Sequence, residues 1–377
     1  MVEPPRYQLL GTIASGGMAE VLLARTRGPN GFERLLAVKR IRPELSGDPE
    51  HVRMFLDEAR NAARLVHHNI VQVIDVDLRD GAVFYAMEYL HGQTLDNVMK
   101  RVGALPRGAA IAIAIGIAAG LHYAHERASS IVHRDVSPSN VIVTYDGNVK
   151  LIDFGIAKAN ENLSRTAFGV FKGRLGYSSP EQVRCELVDR RSDIYSLGLV
   201  LYELATGRPA FATTNESELI DQMAEATIAA PNEIEPALQQ IIMRAVAKDP
   251  RDRYPTADAM QLDLEAFAQR SGLNLSAMAL SRLMTERFAE ELAPWQAAQA
   301  TGVTLERYIT LTIGDLLPLH ERETWSLERG TTAESVTVDR ETLVRQPTRK
   351  TATRRLEIAA MIGLFGVAYL LARLFIS

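Results

Sequence analysis

The chain opens with short hydrophobic runs separated by polar positions and turns. Two β-rich runs lie at residues 21–25 and 35–41, and two more, V-Q-V-I-D-V and A-V-F-Y-A-M-E, flank the turn at Asp80 and Gly81. Runs of this length around an Asp-Gly turn predict β-strands joined in a hairpin. We therefore expect a small β-rich unit over residues 7–88.

Helical patterns follow within and after this unit. Asp48 and Pro49 are typical of a helix start, because Asp caps the first amides and proline fits the first turn. From about Thr94 the pattern becomes helical, and it includes the apolar stretch 109–121. This stretch is shorter than a membrane span, so we predict a buried core helix there.

The pattern changes again after about residue 270. Large hydrophobic residues recur with helical spacing from 280 to 292, which predicts a helical appendage over 269–320 with no role that the sequence reveals. Residues 321–355 are polar and rich in Thr, Arg and Glu, without an amphipathic period. That composition is typical of a disordered linker.

Residues 356–376 are apolar on all helical faces, with Glu357 and Arg373 near the two ends. As a helix of about 21 residues they would span roughly 31 Å, which matches the ~30 Å core of a bilayer. We expect a single-pass transmembrane anchor; the alternative is a buried helix of the soluble domain. A small-xxx-small pair, Ala359 and Gly363, would allow a homodimer. Basic residues without acids precede the segment and place the part of the chain on its N-terminal side in the cytoplasm, at the inner membrane: Arg345, Arg349, Lys350, Arg354 and Arg355.

Composition narrows the remaining choices. Hydrophobic residues make up 47% of the chain and charged residues 23%, as in an ordinary globular protein. The formal net charge of −4 argues against a nucleic-acid partner recruited by overall basicity. A single cysteine, Cys185, excludes an internal disulfide framework and fits a reducing compartment.

Candidate chemistry begins with H-R-D-V-S-P-S-N at 133–140 and D-F-G at 153–155. The segment between Asn140 and Asp153 reads as a hairpin, which would bring the two side chains together. Their oxygens are ligands that suit Mg²⁺ when substrate phosphates complete the coordination. Asp135 would then accept or orient the proton of an attacking hydroxyl.

Further parts of a phosphoryl-transfer site precede this loop. A-S-G-G-M-A-E-V at 14–21 contains adjacent glycines whose backbone amides would approach phosphate oxygens. Lys39 lies in a predicted strand and Glu58 in a predicted helix, so an ion pair of the two would hold a nucleotide's phosphates. Taken singly, these features are explained by a hairpin turn and by surface charges. Their order along the chain is what predicts phosphoryl transfer.

Together with S-P-E at 179–181 and D-I-Y-S-L-G at 193–198, these motifs resemble those of bacterial, eukaryotic-like serine/threonine protein kinases with a membrane anchor. The resemblance covers roughly residues 7–268 and implies an α+β, two-lobed kinase fold with ATP between the lobes. The implied parts are an N-lobe with one helix at 7–88, a hinge at 88–92 and a helical C-lobe at 93–268.

The resemblance also implies residue roles. Asp135 is the implied catalytic base, and Lys39 and Glu58 form the implied ion pair. Asn140 and Asp153 are the implied ligands of Mg²⁺, with Mn²⁺ as an alternative metal. The nucleotide contacts are expected from the glycine-rich loop, the strand lysine, the gatekeeper Met87 and the hinge: Ala14, Ser15, Gly16, Gly17, Val21, Lys39, Met87, Glu88 and Leu90.

The same resemblance assigns structural roles and a regulatory one. Glu181 is expected to pair with Arg253, and Asp193 to hold the backbone of the catalytic loop. Arg134, next to the catalytic Asp, predicts control by a phosphate on the activation loop. The candidate acceptors there are Ser164 and Thr166.

Two positions depart from the family pattern. Typical serine/threonine kinases place a Lys two residues after the catalytic Asp and a Thr before S-P-E, where this chain has Ser137 and Arg174. We hypothesise that Arg174 supplies the missing cation as part of the catalytic set, since arginine keeps its charge and offers several donors. The alternative is that Arg174 faces solvent.

The sequence thus predicts an ATP- and Mg²⁺-dependent protein kinase that phosphorylates Ser or Thr of protein substrates, autophosphorylates and signals at the cytoplasmic membrane face. The Ser/Thr preference rests on the overall resemblance, because the segment with Ser137 and Arg174 does not support it. Two alternatives stay open. One is a catalytically inactive pseudokinase that acts as a membrane-tethered scaffold, and the other is a small-molecule phosphotransferase.

Overall fold

The computed structural model describes residues 7–28, 32–79, 82–127, 130–154, 175–213 and 215–313. Within these residues the chain forms two compact units, one of 7–42 with 290–313 and one of Pro43–Ala289. The predicted linker at 321–355 and the predicted anchor at 356–376 lie outside the described residues. Those two predictions therefore stay predictions.

Strands and helices of the described residues are numbered in chain order. The strands are β1 Gln8–Ser15, β2 Ala19–Arg27, β3 Glu33–Ile41, β4 Val73–Arg79, β5 Ala82–Glu88, β6 Gly92–Thr94, β7 Val141–Thr144 and β8 Val149–Leu151. The helices are α1 Pro49–Ala63, α2 Leu95–Val102, α3 Arg107–His125, α4 Pro180–Val183, α5 Arg190–Thr206, α6 Glu216–Glu225, α7 Pro236–Ala245, α8 Ala257–Arg270, α9 Ala277–Arg287, α10 Ala289–Ala300 and α11 Leu305–Ile313.

The first unit contains an antiparallel meander of β1, β2 and β3. Consecutive residues in the middle of β2 and β3 are buried, including Leu23 and Leu36, so both faces of these two strands are covered there. Arg40 and Glu20 form a cross-strand ion pair at 2.7 Å. Helix α11 packs against β1 and β3 of the same unit. This unit therefore joins the first strands to the last described helices.

The second unit begins with α1 and the β4–β5 hairpin. The Asp48 carboxylate accepts a hydrogen bond from the Glu50 amide at 2.9 Å, and proline occupies the first turn, so the predicted helix start is confirmed. Strands β4 and β5 pair antiparallel on either side of the predicted Asp-Gly turn. Helix α1 packs on both strands through its buried face.

Helix α3 lies in the centre of the helical part, where it packs against α5 and α8. Of the helices in the described part of the chain, α3 is long and apolar enough to cross a membrane, yet eleven of its residues are buried in the protein. The prediction of a core helix over 109–121 is thus confirmed. Helix α3 also contacts β8, a strand of the three-stranded sheet described next.

Strands β6, β7 and β8 form a three-stranded antiparallel sheet that carries much of the candidate site. Gly92 lies where β6 pairs with β7, and a Cβ atom on residue 92 would collide with the Val143 carbonyl oxygen. A glycine is required for this approach. The hairpin predicted between Asn140 and Asp153 is confirmed as β7 and β8.

The appendage beyond residue 270 is helical, as predicted, but it is not one continuous helix. Leu280, Met284, Phe288 and Leu292 are all buried, which confirms the apolar stripe. Helix α9 nevertheless ends at Arg287, because Phe288 leaves the helical region with φ −115° and ψ 30°. Phe288 is therefore buried at the end of α9 and not within a continuous helix.

Candidate active site

Asp135 and Asn140 are joined directly in the loop that ends in a short 3₁₀ turn, Pro138–Asn140. The Asn140 amide nitrogen donates to the Asp135 backbone oxygen at 2.8 Å and to its carboxylate at 2.9 Å. Asn140 is fully buried, so this contact is shielded from water. The spacing of five residues thus fixes the carboxylate of Asp135 in one orientation.

The other side of the Asn140 amide is available for a metal. Its Oδ1 atom is buried and makes no hydrogen bond with any residue that the structure describes. An unsatisfied buried oxygen is costly unless a cation or water fills the need, so this atom fits the predicted Mg²⁺ site. Asp153 follows β8, where the Ile152 amide donates to the Asn140 backbone oxygen at 3.0 Å. The hairpin therefore places both predicted ligands at the same end of β7 and β8.

Asp193 at the start of α5 holds the catalytic loop, as the family resemblance implied. Its carboxylate accepts hydrogen bonds from the backbone amides of His133 and Arg134, both at 2.8 Å. The His125 Nε2 atom lies 2.7 Å from the same carboxylate. Burial alone would raise the pKa of Asp193, but the hydrogen bond from His125 and the nearby histidines outweigh it and hold this pKa below its ordinary value. Asp193 therefore stays ionised and continues to accept the hydrogen bonds from the amides of His133 and Arg134.

His133 is a site residue whose role the sequence reasoning missed, although it directly precedes Arg134. Its buried ring packs against the Phe154 ring, with centroids 4.5 Å apart. Its Nε2 atom lies 3.1 Å from the Ile152 carbonyl oxygen. His133 thus links the loop that carries Asp135 to the strand end that carries Asp153.

Burial also makes His133 sensitive to acid, since it lowers the pKa of this imidazole. The unfolded chain takes up a proton near pH 6.5 and the folded protein does not. The stability contributed by neutral His133 is therefore present above about pH 6.5 and is lost as the pH falls through the lowered pKa. We expect the melting temperature of His133→Phe to fall less than that of the wild type between pH 7.5 and 5.5.

Melting curves by circular dichroism at these pH values measure the difference. His68→Phe serves as the control, because the His68 side chain is exposed. Equal falls in melting temperature for the wild type and His133→Phe would contradict the proposed titration of His133.

A buried ion pair lies beside the segment that contacts the catalytic loop. Arg253 and Glu181 form two hydrogen bonds at 2.7 and 2.9 Å, which confirms the predicted pair. Ser179 and Gln182 form a capping box at the start of α4, in which each side chain bonds the backbone amide of the other residue. The side-chain Nε2 atom of Gln182 also donates to the Arg134 carbonyl at 2.8 Å. The S-P-E segment is therefore tied to the catalytic loop.

The predicted glycine-rich loop is the turn between β1 and β2 in the first unit. Ala14 pairs with Val21 and Ser15 with Glu20, and the Gly16 amide donates to the Ala19 carbonyl at 2.8 Å. Lys39 lies on β3 directly opposite Val21, and the residue is only 9% exposed. The first unit thus places the glycine turn, Val21 and Lys39 on one small sheet.

Glu58 and the hinge belong to the second unit. Glu58 is 6% exposed on α1 and accepts a hydrogen bond from the Tyr85 hydroxyl at 2.7 Å. Because Lys39 belongs to the first unit, the Lys39–Glu58 pair stays a prediction. Met87 is buried at the end of β5, as a gatekeeper position requires, and Leu90 is half-buried in the hinge.

Glu88 of the hinge has partners that the sequence did not suggest. Its carboxylate accepts a hydrogen bond from Lys150 of β8 at 2.7 Å and from the Gln72 amide at 2.9 Å. The bond from Lys150 thus connects the hinge to β8, the strand that precedes Asp153.

Ser137 stands where the family pattern has a lysine. It is 1% exposed, and its hydroxyl oxygen has no hydrogen-bond partner in the described part of the chain. Arg174, Ser164 and Thr166 lie outside the described residues. The exchange of the cation between positions 137 and 174 therefore stays a prediction.

Comparisons with known proteins agree with this geometry. Residues 7–264 match the model of the protein kinase domain. The tyrosine-protein kinase MasK of Myxococcus xanthus is 40% identical over 299 residues, which cover 76% of this chain and 46% of MasK. The serine/threonine-protein kinase PrkC of Bacillus subtilis is 37% identical over 273 residues, which cover 71% of this chain and 41% of PrkC.

Two mycobacterial proteins extend the comparison. The serine/threonine-protein kinase PknL of Mycobacterium tuberculosis is 36% identical, with 71% of this chain and 67% of PknL covered. The crystal structure of the Mycobacterium tuberculosis PknI kinase domain superposes with a TM-score of 0.51 at 29% identity, covering 70% of this chain and 97% of that domain. The chain spans less than half the length of MasK and of PrkC. With its β-sheet N-lobe and helical C-lobe, the chain belongs to the protein kinase family.

Proposed function

We propose that this protein transfers the γ-phosphoryl group of ATP to hydroxyl groups of proteins. The observation that carries the proposal is the Asp135–Asn140 contact, in which one amide orients the base while its buried Oδ1 atom is left for a metal. The match to the protein kinase domain supports the same reaction. A pseudokinase scaffold is less well supported, because the base and metal positions hold the residue types that the reaction needs.

The residues of the site divide the work in a way that suits phosphoryl transfer, which depends on positioning and charge. Asp135 orients the acceptor hydroxyl and receives its proton, and Asn140 keeps that carboxylate in place. Lys39, held by Glu58, would bind the phosphates. Asn140 and Asp153 would hold Mg²⁺, which neutralises charge on the phosphates when it is bound.

We infer that the acceptors are serine and threonine, as in the relatives PrkC and PknL by their names. Tyrosine is the second candidate, because MasK is named a tyrosine-protein kinase and this chain lacks a lysine at position 137. The test is phosphoamino-acid analysis after incubation of the full chain with labelled ATP and a mixed peptide library. Label on phosphoserine and phosphothreonine supports the first candidate, and label confined to phosphotyrosine refutes it.

The Arg174 hypothesis gives a separate prediction. If Arg174 supplies the cation that Ser137 lacks, Arg174→Ala is expected to lower phosphoryl transfer to peptide by about tenfold or more, since a charge that stabilises the transferring phosphoryl group is lost. Arg251→Ala, at a highly exposed arginine, is the matched control. If the rate of phosphoryl transfer by Arg174→Ala stays within about threefold of wild type, the hypothesis that Arg174 supplies the cation is wrong.

We also propose that residues 356–376 anchor the protein in the membrane, supported by their length and apolar composition. Removal of this segment is expected to move the protein from the membrane fraction to the soluble fraction.

Autophosphorylation is a further part of the proposal, with a phosphate expected between residues 160 and 170 of active protein. Mass spectrometry of the active protein tests it, and full activity with an unmodified segment contradicts it.

A further inference from the structure

Helix α9 lies beyond the matched kinase domain, which ends at residue 264, and it contacts the turn between β7 and β8. The Ser281 hydroxyl donates to the Tyr145 carbonyl at 2.7 Å. The Phe288 ring, just after α9, meets the Tyr145 ring edge-on with centroids 6.3 Å apart. Gly147 has φ +82°, and a Cβ atom there would collide with the Ala277 carbonyl. The turn thus admits the helix only because residue 147 is glycine.

On its other side Tyr145 holds the segment that follows the hinge. The Tyr145 amide donates to the His91 carbonyl at 3.0 Å, and the two rings are in edge contact with centroids 4.8 Å apart. The Gln93 side chain donates to the Tyr145 hydroxyl at 2.6 Å. Three contacts from one tyrosine therefore fix the chain from His91 to Gln93.

Helix α9 is anchored firmly enough to transmit this constraint. Leu280, Met284 and Phe288 are almost completely buried. The Arg101 guanidinium of α2 donates to the Arg287 carbonyl at 3.2 Å and lies 5.7 Å above the Phe288 ring. Helix α9 is thus bound to the rest of the second unit at both Tyr145 and α2.

We propose that α9 is a positioning element for the nucleotide, and that Ser281 and Phe288 hold Tyr145 so that the hinge backbone at 88–90 is kept ready for adenine. A segment ordered before binding loses less conformational entropy when the ligand arrives, so its affinity is higher. The inference rests on the proposed kinase function. It assigns to the appendage a role in ATP affinity and none in the chemistry at Asp135.

The test uses the full chain with Ser281→Ala and, separately, Phe288→Ala. The dissociation constant for MgATP is measured by calorimetry, alongside kcat and the KM values for ATP and peptide. Loss of one hydrogen bond is expected to raise the dissociation constant and the KM for ATP by about fivefold in Ser281→Ala. The kcat and the peptide KM are expected to stay within about twofold of wild type, since Asp135 is not disturbed.

Two further variants separate positioning from general damage. Ser281→Thr keeps the hydroxyl and is expected to bind ATP as the wild type does. Met278→Ala changes a side chain of α9 that is 62% exposed, and it is expected to have no effect.

The inference is overturned if Ser281→Ala binds MgATP with wild-type affinity, or if kcat and peptide KM worsen as much as the KM for ATP. Phe288→Ala is judged only when its melting curve shows a folded protein, and Ser281→Ala carries the test alone otherwise. A wild-type protein that binds MgATP without transferring phosphate would refute the proposed function, while the calorimetry would still decide the role of α9.

Discussion

Asp135→Asn is expected to lower kcat for phosphoryl transfer by about 10²–10⁴-fold, because it removes the group that receives the proton of the acceptor hydroxyl. Asparagine has nearly the same shape, and the Asn140 amide can still donate to its side-chain oxygen. The dissociation constant for MgATP is therefore expected to change little. Initial rates with labelled ATP and peptide, together with calorimetry, measure both quantities.

The matched control is Asp221→Asn, which makes the same change at an exposed position on α6. It is expected to retain wild-type kcat. If Asp135→Asn keeps more than about a tenth of the wild-type kcat, Asp135 is not the general base.

The second large effect concerns the buried pair of Glu181 and Arg253. Glu181→Gln is expected to destabilise the second unit by about 3–5 kcal/mol, because it leaves the Arg253 charge buried without its counter-ion. None of the Arg253 side chain is exposed. Its other hydrogen-bond acceptors among the described residues are the carbonyl oxygens of Ala247, Arg191 and Lys248, and its guanidinium lies 4.6 Å from the centre of the Tyr195 ring. Neutral carbonyls compensate a buried charge less well than a carboxylate. Urea unfolding followed by circular dichroism measures the loss of free energy.

An exposed pair nearby provides the comparison. Arg251 and Asp249 form an ion pair at 2.5 Å, but 83% of the Arg251 side chain is exposed. Solvent screens such a pair, so Arg251→Ala is expected to leave the urea midpoint nearly unchanged. Similar shifts in Glu181→Gln and Arg251→Ala would show that burial does not decide the strength of the Glu181–Arg253 pair.

Much of the fold follows from local rules that a sequence displays. The α1 start at Asp48 and Pro49, the β4–β5 hairpin and the β7–β8 hairpin depend on neighbouring residues, and all were predictable. The apolar stretch at 109–121 was also predictable as core, because this stretch is shorter than a bilayer span, although the whole of helix α3 is long enough to cross one. These features need no knowledge of distant contacts.

Other features depend on contacts between residues far apart in the chain, and the sequence does not display these. The Lys150–Glu88 bond joins residues 62 positions apart, and Ser281 reaches Tyr145 across 136 positions. At the break of the appendage, Phe288 likewise packs against Tyr145, which is distant in the chain. Periodicity identified the buried face of the appendage, but not what it would cover.

The site shows the same division. The motif order identified Asp135, Asn140 and Asp153, whereas the buried Asn140 Oδ1 atom became evident only in three dimensions. His133 was visible in the sequence beside Arg134, but its contacts with Phe154 and the Ile152 carbonyl were not. A motif therefore gives the residue types of a site, and the fold gives their hydrogen-bond partners.

The most direct test of the central claim is a crystal structure of the protein with Mg²⁺ and a non-hydrolysable ATP analogue. We expect a magnesium ion bound by Asn140 Oδ1 and the Asp153 carboxylate at about 2.1 Å, with the terminal phosphate facing Asp135. Binding of the analogue without metal at Asn140 and Asp153, or no binding at all, would contradict the proposed active site.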